Sequence, residues 1–248
     1  MNERTPRVAI VTGSARNIGA SIAKKLAADH ISVVINALKD KEAALNVAKD
    51  ITSNGGCATT IMADVTDENA VNNMVTKTIE KFGRVDILVS NASIRGQTPI
   101  TKMSLNEWHN VLAVPLDGAF LCSRAVIPHM KQTGSGRIIT LGGISAYIGT
   151  AERAHLLTAK AGLIGLTRGL ASELAPYGIT CNVVAPGHID TERPESAGIR
   201  PPIKNPPPIS RMGKPDEIAS MVSYLCSHET NYITGQTFHV NGGMFFGY

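Results

Sequence analysis

Residues 8–19 read VAIVTGSARNIG, and this stretch constrains the chain more than any other. Four apolar residues, Val8, Ala9, Ile10 and Val11, end in Thr12-Gly13. A loop of small residues follows, and Ile18-Gly19 opens an amphipathic segment over 20–30. That order predicts strand, glycine-bearing turn and helix. The backbone N–H groups of the turn and the positive end of the helix then face one point, where a phosphate can sit. The spacing predicts a nucleotide site together with a local fold.

The rest of the chain repeats the alternation. Strand-like runs occupy 31–36, 57–62, 85–89, 137–141, 179–184 and 236–240, and helical spacing occupies 39–53, 67–82, 154–175 and 215–227. Asp67 is the expected N-cap of its helix. Two further helices are expected over 105–114 and 116–132, because Pro115 between them lacks an N–H and must interrupt the backbone ladder. Strands that are apolar throughout and separated by helices imply a parallel sheet covered on both faces. The expected fold is therefore a Rossmann-like, doubly wound α/β domain of about seven strands spanning residues 1–248. Ligands of such folds lie beyond the carboxyl ends of the strands. The proline-rich stretch 192–214 falls at that edge and is too long for a plain connector, so it is expected to act as a substrate lid.

Composition narrows the function. The net charge of +4 comes without a basic run, which argues against a nucleic-acid partner. Four scattered cysteines match neither a metal site nor a disulfide framework and fit a cytoplasmic location. No apolar run is expected to approach the roughly 20 residues of a membrane span, and MNERTPR at the start has no signal-like apolar segment.

Several short motifs share one pattern: Thr12-Gly13 with Gly19, Asp64-Val65, Ser90-Asn91-Ala92-Ser93, Pro186-Gly187-x-Ile189-x-Thr191, and Asn241-Gly242-Gly243. With them the chain resembles the short-chain dehydrogenase/reductase family along its whole length, close in layout to the β-ketoacyl-carrier-protein reductase branch. The resemblance implies NADP or NAD. Gly13, Ser14, Arg16, Asn17, Ile18 and Gly19 would surround its phosphates. Asp64 would accept from the adenine amino group beside Val65, with Asn36, Asn91 and Ala92 at neighbouring strand ends. Pro186, Gly187, Ile189 and Thr191 would meet the nicotinamide carboxamide and the pyrophosphate. Asn17 stands where the family's middle glycine is usual, and Asn tolerates positive φ well enough for the turn to survive. No carboxylate precedes Asp40 after the second strand, and Arg16 and Lys39 are placed to meet a 2′-phosphate, which favours NADP. The resemblance also implies a homo-oligomer, tetramer or dimer, built on the long helices and the C-terminal strand, with the apolar tail 244–248 buried in the assembly.

The chemistry departs from the pattern. The family usually carries an Asn-Ser-Tyr-Lys tetrad. Here the Asn position falls on Pro115, the Ser position on Gly143 and the Tyr position on Leu156, and only Lys160 remains. Lys160 can still bond a ribose. Pro, Gly and Leu side chains can neither hold a substrate oxygen nor move its proton. Replacements are at hand in His155, Ser145 and Tyr147. His155 has a suitable proton affinity but is offset by about 100° from the vacated helical direction. Arg95, Arg153, His188 and Arg193 gather at the ligand edge and are expected to meet an anionic small-molecule substrate such as a carboxylate. Three readings stand side by side: an oxidoreductase on a small carbonyl or alcohol with an atypical proton donor, a non-redox lyase, hydrolase or isomerase on the same scaffold, and a catalytically silent nucleotide-binding subunit.

Overall fold

The structure is a computed structural model that describes residues 6–192 and 206–247. Seven parallel strands form one sheet: β1 (Val8–Val11), β2 (Ser32–Ala37), β3 (Ala58–Met62), β4 (Ile87–Ser90), β5 (Gly136–Leu141), β6 (Ile179–Pro186) and β7 (Thr237–Val240). Their order is β3-β2-β1-β4-β5-β6-β7. The order reverses between β1 and β4, where Ala9, Ile10 and Val11 pair with Ile87, Leu88 and Val89. That reversal opens a crevice at the carboxyl ends of the two strands.

Each strand sends alternate side chains to opposite layers. Ala9, Val11, Val33 and Ile35 join one core with helices α1 (Asn17–Ala28), α2 (Lys41–Ser53) and α8 (Pro215–Cys226). Ile10, Val34, Leu88 and Ile138 join the other, with α3 (Glu68–Phe82), α5 (Gly118–Thr133) and α7 (Ala154–Leu174). The inner strands are buried throughout, whereas β3 and β7 at the edges are half-buried. Asp67 caps α3 as expected, accepting from the Ala70 N–H at 3.0 Å.

Two local readings need correction. The helices expected on either side of Pro115 form one 29-residue run, Leu105–Thr133. Within it, α4 (Leu105–Leu112) meets α5 through a π-helical turn, Ala113–Asp117. The wider turn absorbs the bond that Pro115 cannot donate, so the axis continues. This run is long and apolar enough to cross a membrane by length and composition, contrary to the expectation that no apolar run approaches that length; Pro115 and the interspersed charges divide it in the sequence. Its inner face packs on β4, β5, α3 and α7. The glycine-rich loop after β5 also contains a short helix, α6 (Ser145–Ile148), too brief to show a period. The remaining elements begin and end within three residues of expectation.

Candidate active site

The turn after β1 is fixed by sterics. Gly13 has φ +60°, and a Cβ there would lie 2.9 Å from the Ala92 Cα. A Cβ on Gly19 would lie 2.5 Å from the Gly13 carbonyl oxygen and 2.6 Å from the Asn91 Nδ2. Asn17 holds φ +51°, the left-handed conformation expected of it. The N-cap Arg16 gives α1 no side-chain cap. The N–H groups of Asn17, Ile18 and Gly19 therefore have no carbonyl partner within the helix and point out of its first turn.

Side chains around the turn serve its backbone. Thr12 Oγ1 accepts from the N–H groups of Asn91 and Ala92, both at 3.0 Å. Asn91 Nδ2 donates to the carbonyls of Thr12 and Gly13, both at 2.9 Å. Ser14 Oγ donates to the Val11 carbonyl at 2.7 Å and accepts from the Asn36 N–H at 3.1 Å. The Asn36 side chain is buried. Its Oδ1 accepts from the Gly13 N–H at 3.2 Å, and its Nδ2 donates to the carbonyls of Ile61 and Ala63. Asn36 was expected as a cofactor contact; its amide instead ties β1, β2 and β3 together beneath the turn.

At the far end of this edge the Arg16 guanidinium pairs with the Asp40 carboxylate, and both are exposed. Asp40 also caps α2 through the Ala43 N–H, at 2.9 Å. Asp64 Oδ1 accepts from the N–H and hydroxyl of Thr66 at 2.9 and 2.7 Å, which fixes the carboxylate at the end of β3. Val65 is buried against Gly118, where a Cβ would approach its Cγ2 to 2.8 Å.

Beyond β4, β5 and β6 a cleft of about 940 Å³ opens. Ile18 and Asn91 reach it from the turn, and Pro186, Gly187 and Ile189 from the end of β6. Gly243 and Met244, just past β7, complete a wall. That wall can close because residue 187 is glycine: a Cβ there would lie 2.6 Å from the Asn241 Cα. Lys160 reaches the cleft from α7, nine-tenths buried, and its Nζ donates to the Leu141 carbonyl at 2.6 Å. Burial, reinforced by the charge of Arg95, lowers the Lys160 pKa to about 8. Leu156, one turn earlier, faces the same cleft. Ser145 lines it as well, with its Oγ 3.8 Å from where a Cβ on Gly143 would stand. Arg95, Arg153 and His188 line it too. Arg193 and residues 193–205 of the expected lid lie outside the described residues.

Two candidates for the proton donor lie away from the cleft. His155 is completely buried and does not line the cleft. Its Nδ1 accepts from the Leu156 N–H at 2.9 Å, while its Nε2 faces Glu107 Oε1 at 3.6 Å and the backbone of Gly96. The one-residue offset from Leu156 turns it under the cleft wall. Tyr147 also points elsewhere, packing against His239 and Phe245 with ring centroids 4.6 and 4.9 Å away. Pro115 is buried in the π-helical turn.

Two features escaped the sequence. Asn17 Nδ2 donates to the Glu192 carbonyl at 3.1 Å, and its Oδ1 accepts from the Glu192 N–H at 3.0 Å. These bonds strap the start of α1 to the segment after Thr191. The one signal for them was an asparagine at a place that suits glycine. The second is Gln97, whose Nε2 donates to Glu152 Oε2 at 3.0 Å and whose Oε1 accepts from Arg153 Nη2 at 3.4 Å. Among the described residues, no group of three or more His, Cys, Asp or Glu is placed to hold a metal ion.

Comparison with known proteins gives this geometry a lineage. The model of a family described as Enoyl-(Acyl carrier protein) reductase matches residues 13–245. The 3-oxoacyl-(acyl-carrier-protein) reductase of Synechocystis sp. is 40% identical over 245 residues, covering 98% of this chain and 99% of that one. The same-named enzyme of Staphylococcus aureus strain Mu50 is 38% identical over 239 residues, 96% of this chain and 97% of its own. That of Salmonella typhimurium strain LT2 is 40% identical over 241 residues, with the same two coverages. Sheet order, glycine turn and full-length similarity agree: the chain belongs to the short-chain dehydrogenase/reductase family.

Proposed function

We propose that the protein is a nicotinamide-dinucleotide-dependent oxidoreductase acting on a small carbonyl or alcohol, with an atypical proton donor. The observation that carries this reading is an intact phosphate cradle beside a cleft in which Leu156 stands one helical turn before a buried Lys160. The cradle fits the cofactor: Gly13 and Gly19 leave no room for side chains, and three first-turn N–H groups of α1 face outward. When bound, the nicotinamide supplies or takes the hydride. Asp64 and Asn91 position the adenosine and the turn, and Pro186, Gly187, Ile189 and Thr191 border the nicotinamide end. Ser145 takes over the place left empty at Gly143 and holds the substrate oxygen. Lys160, with its pKa near 8, carries the proton that a tyrosine hydroxyl would otherwise move.

NADP is favoured over NAD because no carboxylate lies between Asn36 and Lys39. Arg16 then exchanges Asp40 for a phosphate, and exposed partners of this kind bind each other by only about 0–1 kcal/mol. The exposed Leu105 and Phe120 on the long helix run, and Phe246 beyond β7, support a homo-oligomer. The family setting supports a cytoplasmic location.

Native mass spectrometry, followed by NADPH oxidation over a ketone panel, tests the reading. Wild type should retain a nucleotide and turn over. Lys160→Met should lose about 100-fold in kcat or more, and Ser145→Ala about tenfold. A protein that binds no nucleotide, or turnover indifferent to both changes, overturns it. The second reading, a silent nucleotide-binding subunit, is favoured by Leu156 and Gly143 themselves, and nucleotide retention without turnover would establish it.

A further inference from the structure

The bonds between Asn17 and Glu192 join two parts of the cleft rim that belong to distant strands. We infer that Asn17 is a positioning residue for the nicotinamide half of the cofactor, its amide holding residues 186–192 in register with the phosphate cradle. This rests on the dinucleotide reading above and deepens it. The segment after β6 is anchored first from the β7 side. The Gly187 N–H donates to the Val240 carbonyl at 2.9 Å, the Gly213 N–H to the His188 carbonyl at 2.9 Å, and the Asp190 N–H to the Gly213 carbonyl at 2.8 Å. The second anchor comes from α1, next to Ile18 at the cleft. There Asn17 Oδ1 accepts from the Glu192 N–H at 3.0 Å and its Nδ2 donates to the Glu192 carbonyl at 3.1 Å. Thr191 is thereby fixed between two anchors, one on each side.

The chemistry of the clasp explains the residue. One side-chain amide meets both backbone groups of one residue, as the facing residue of an antiparallel strand would. Glycine has no amide to offer, and aspartate accepts but cannot donate. Asn17 also holds φ +51°, a conformation that few residues other than glycine adopt readily. A costly backbone conformation kept together with two long-range bonds points to a use for those bonds. The first turn of α1 would hold the pyrophosphate, and residues 186–191 would border the nicotinamide. A clasp between them sets the spacing of the two halves of one ligand. A segment ordered beforehand also spares the ligand the entropy of ordering it, and that gain falls on the nicotinamide half alone.

Titration of the full-length protein, by calorimetry and by nicotinamide fluorescence, tests this. Wild type is first titrated with NADPH and NADH. The tighter of the two is then compared with its nicotinamide-free fragment, adenosine 2′,5′-bisphosphate or AMP. In Asn17→Gly, where glycine relaxes the backbone and folding is not at risk, affinity for the whole cofactor should fall about fivefold. Affinity for the fragment should stay within about twofold, and the emission of the bound nicotinamide should shift toward that of the free cofactor. A change that merely loosened the turn would weaken both ligands alike. A loss shared by both ligands, an unchanged affinity for the whole cofactor, or an unshifted emission overturns the inference and leaves the cofactor reading standing. A wild type that binds neither NADPH nor NADH overturns the cofactor reading, and the inference with it.

Discussion

At the turn after β1, side chains serve the backbone: Thr12, Ser14, Asn36 and Asn91 spend their hydrogen bonds on main-chain groups, and Gly13 and Gly19 admit no Cβ. At the turn after β5 nothing is so tightly held. A Cβ on Gly143 would meet only Ser145 Oγ, at 3.8 Å, and Leu156 presents a plain hydrocarbon to the cleft. The first region defines a shape that the rest of the fold depends on. The second defines a chemistry that substitutions can change while the sheet stands. Residues at the second turn can therefore vary while the fold and the first turn are kept.

Four measurements break or sharpen that contrast, and the largest effect is expected at Gly19. Alanine ordinarily favours a helix by about 1 kcal/mol over glycine. Here the added methyl meets backbone at 2.5 Å, so Gly19→Ala should cost about 3 kcal/mol in denaturant unfolding and abolish nucleotide binding. A cost below 1 kcal/mol would show the turn to be as forgiving as the cleft. Lys160 comes next. Its folded pKa of about 8 lies below the 10.5 of an ordinary lysine, so above pH 8 the folded protein releases this proton while the unfolded chain keeps it. Stability should therefore rise between about pH 8 and 10.5, by up to about 3 kcal/mol, and Lys160→Met should remove the rise. A matching slope in the variant would assign the effect to another group.

Smaller effects probe the borders of the two regions. Asn17→Gly removes both bonds to Glu192 while relaxing a strained φ. The net loss should be about 1 kcal/mol, read as faster hydrogen exchange at the Glu192 amide. Unchanged exchange would mean that the strap adds nothing to the turn. Gly143→Ala should stabilise by about 0.5 kcal/mol, because its φ is not positive and the methyl enters open space. A destabilisation in thermal unfolding would place Gly143 with Gly19 after all.

The sheet and its order of elements were legible because buried parallel strands are apolar on both faces and the helices between them keep their period. Asn17 was legible for a related reason, since few residues other than glycine tolerate a positive φ. Side-chain direction was not. His155 and Leu156 are adjacent in sequence, yet one helical step buries the first and turns the second toward the cleft. Tyr147 finds its partners, His239 and Phe245, about a hundred residues further along. Asn36 looked like a ligand contact because it ends a strand at the ligand edge, and its three long-range bonds exist only once β1, β2 and β3 have aligned. Pro115 marked a break that the π-helical turn repairs.

The wall contributed by Gly243 and Met244 sets an order on biosynthesis. The glycine turn leaves the ribosome well ahead of that wall, and its neighbours α1 and β2 follow within a few tens of residues. The cleft lacks a side until β7 adds to the edge of the sheet and Asn241 settles against Gly187. A nascent chain can thus form its glycine turn well before residues 241–244 complete the cleft wall.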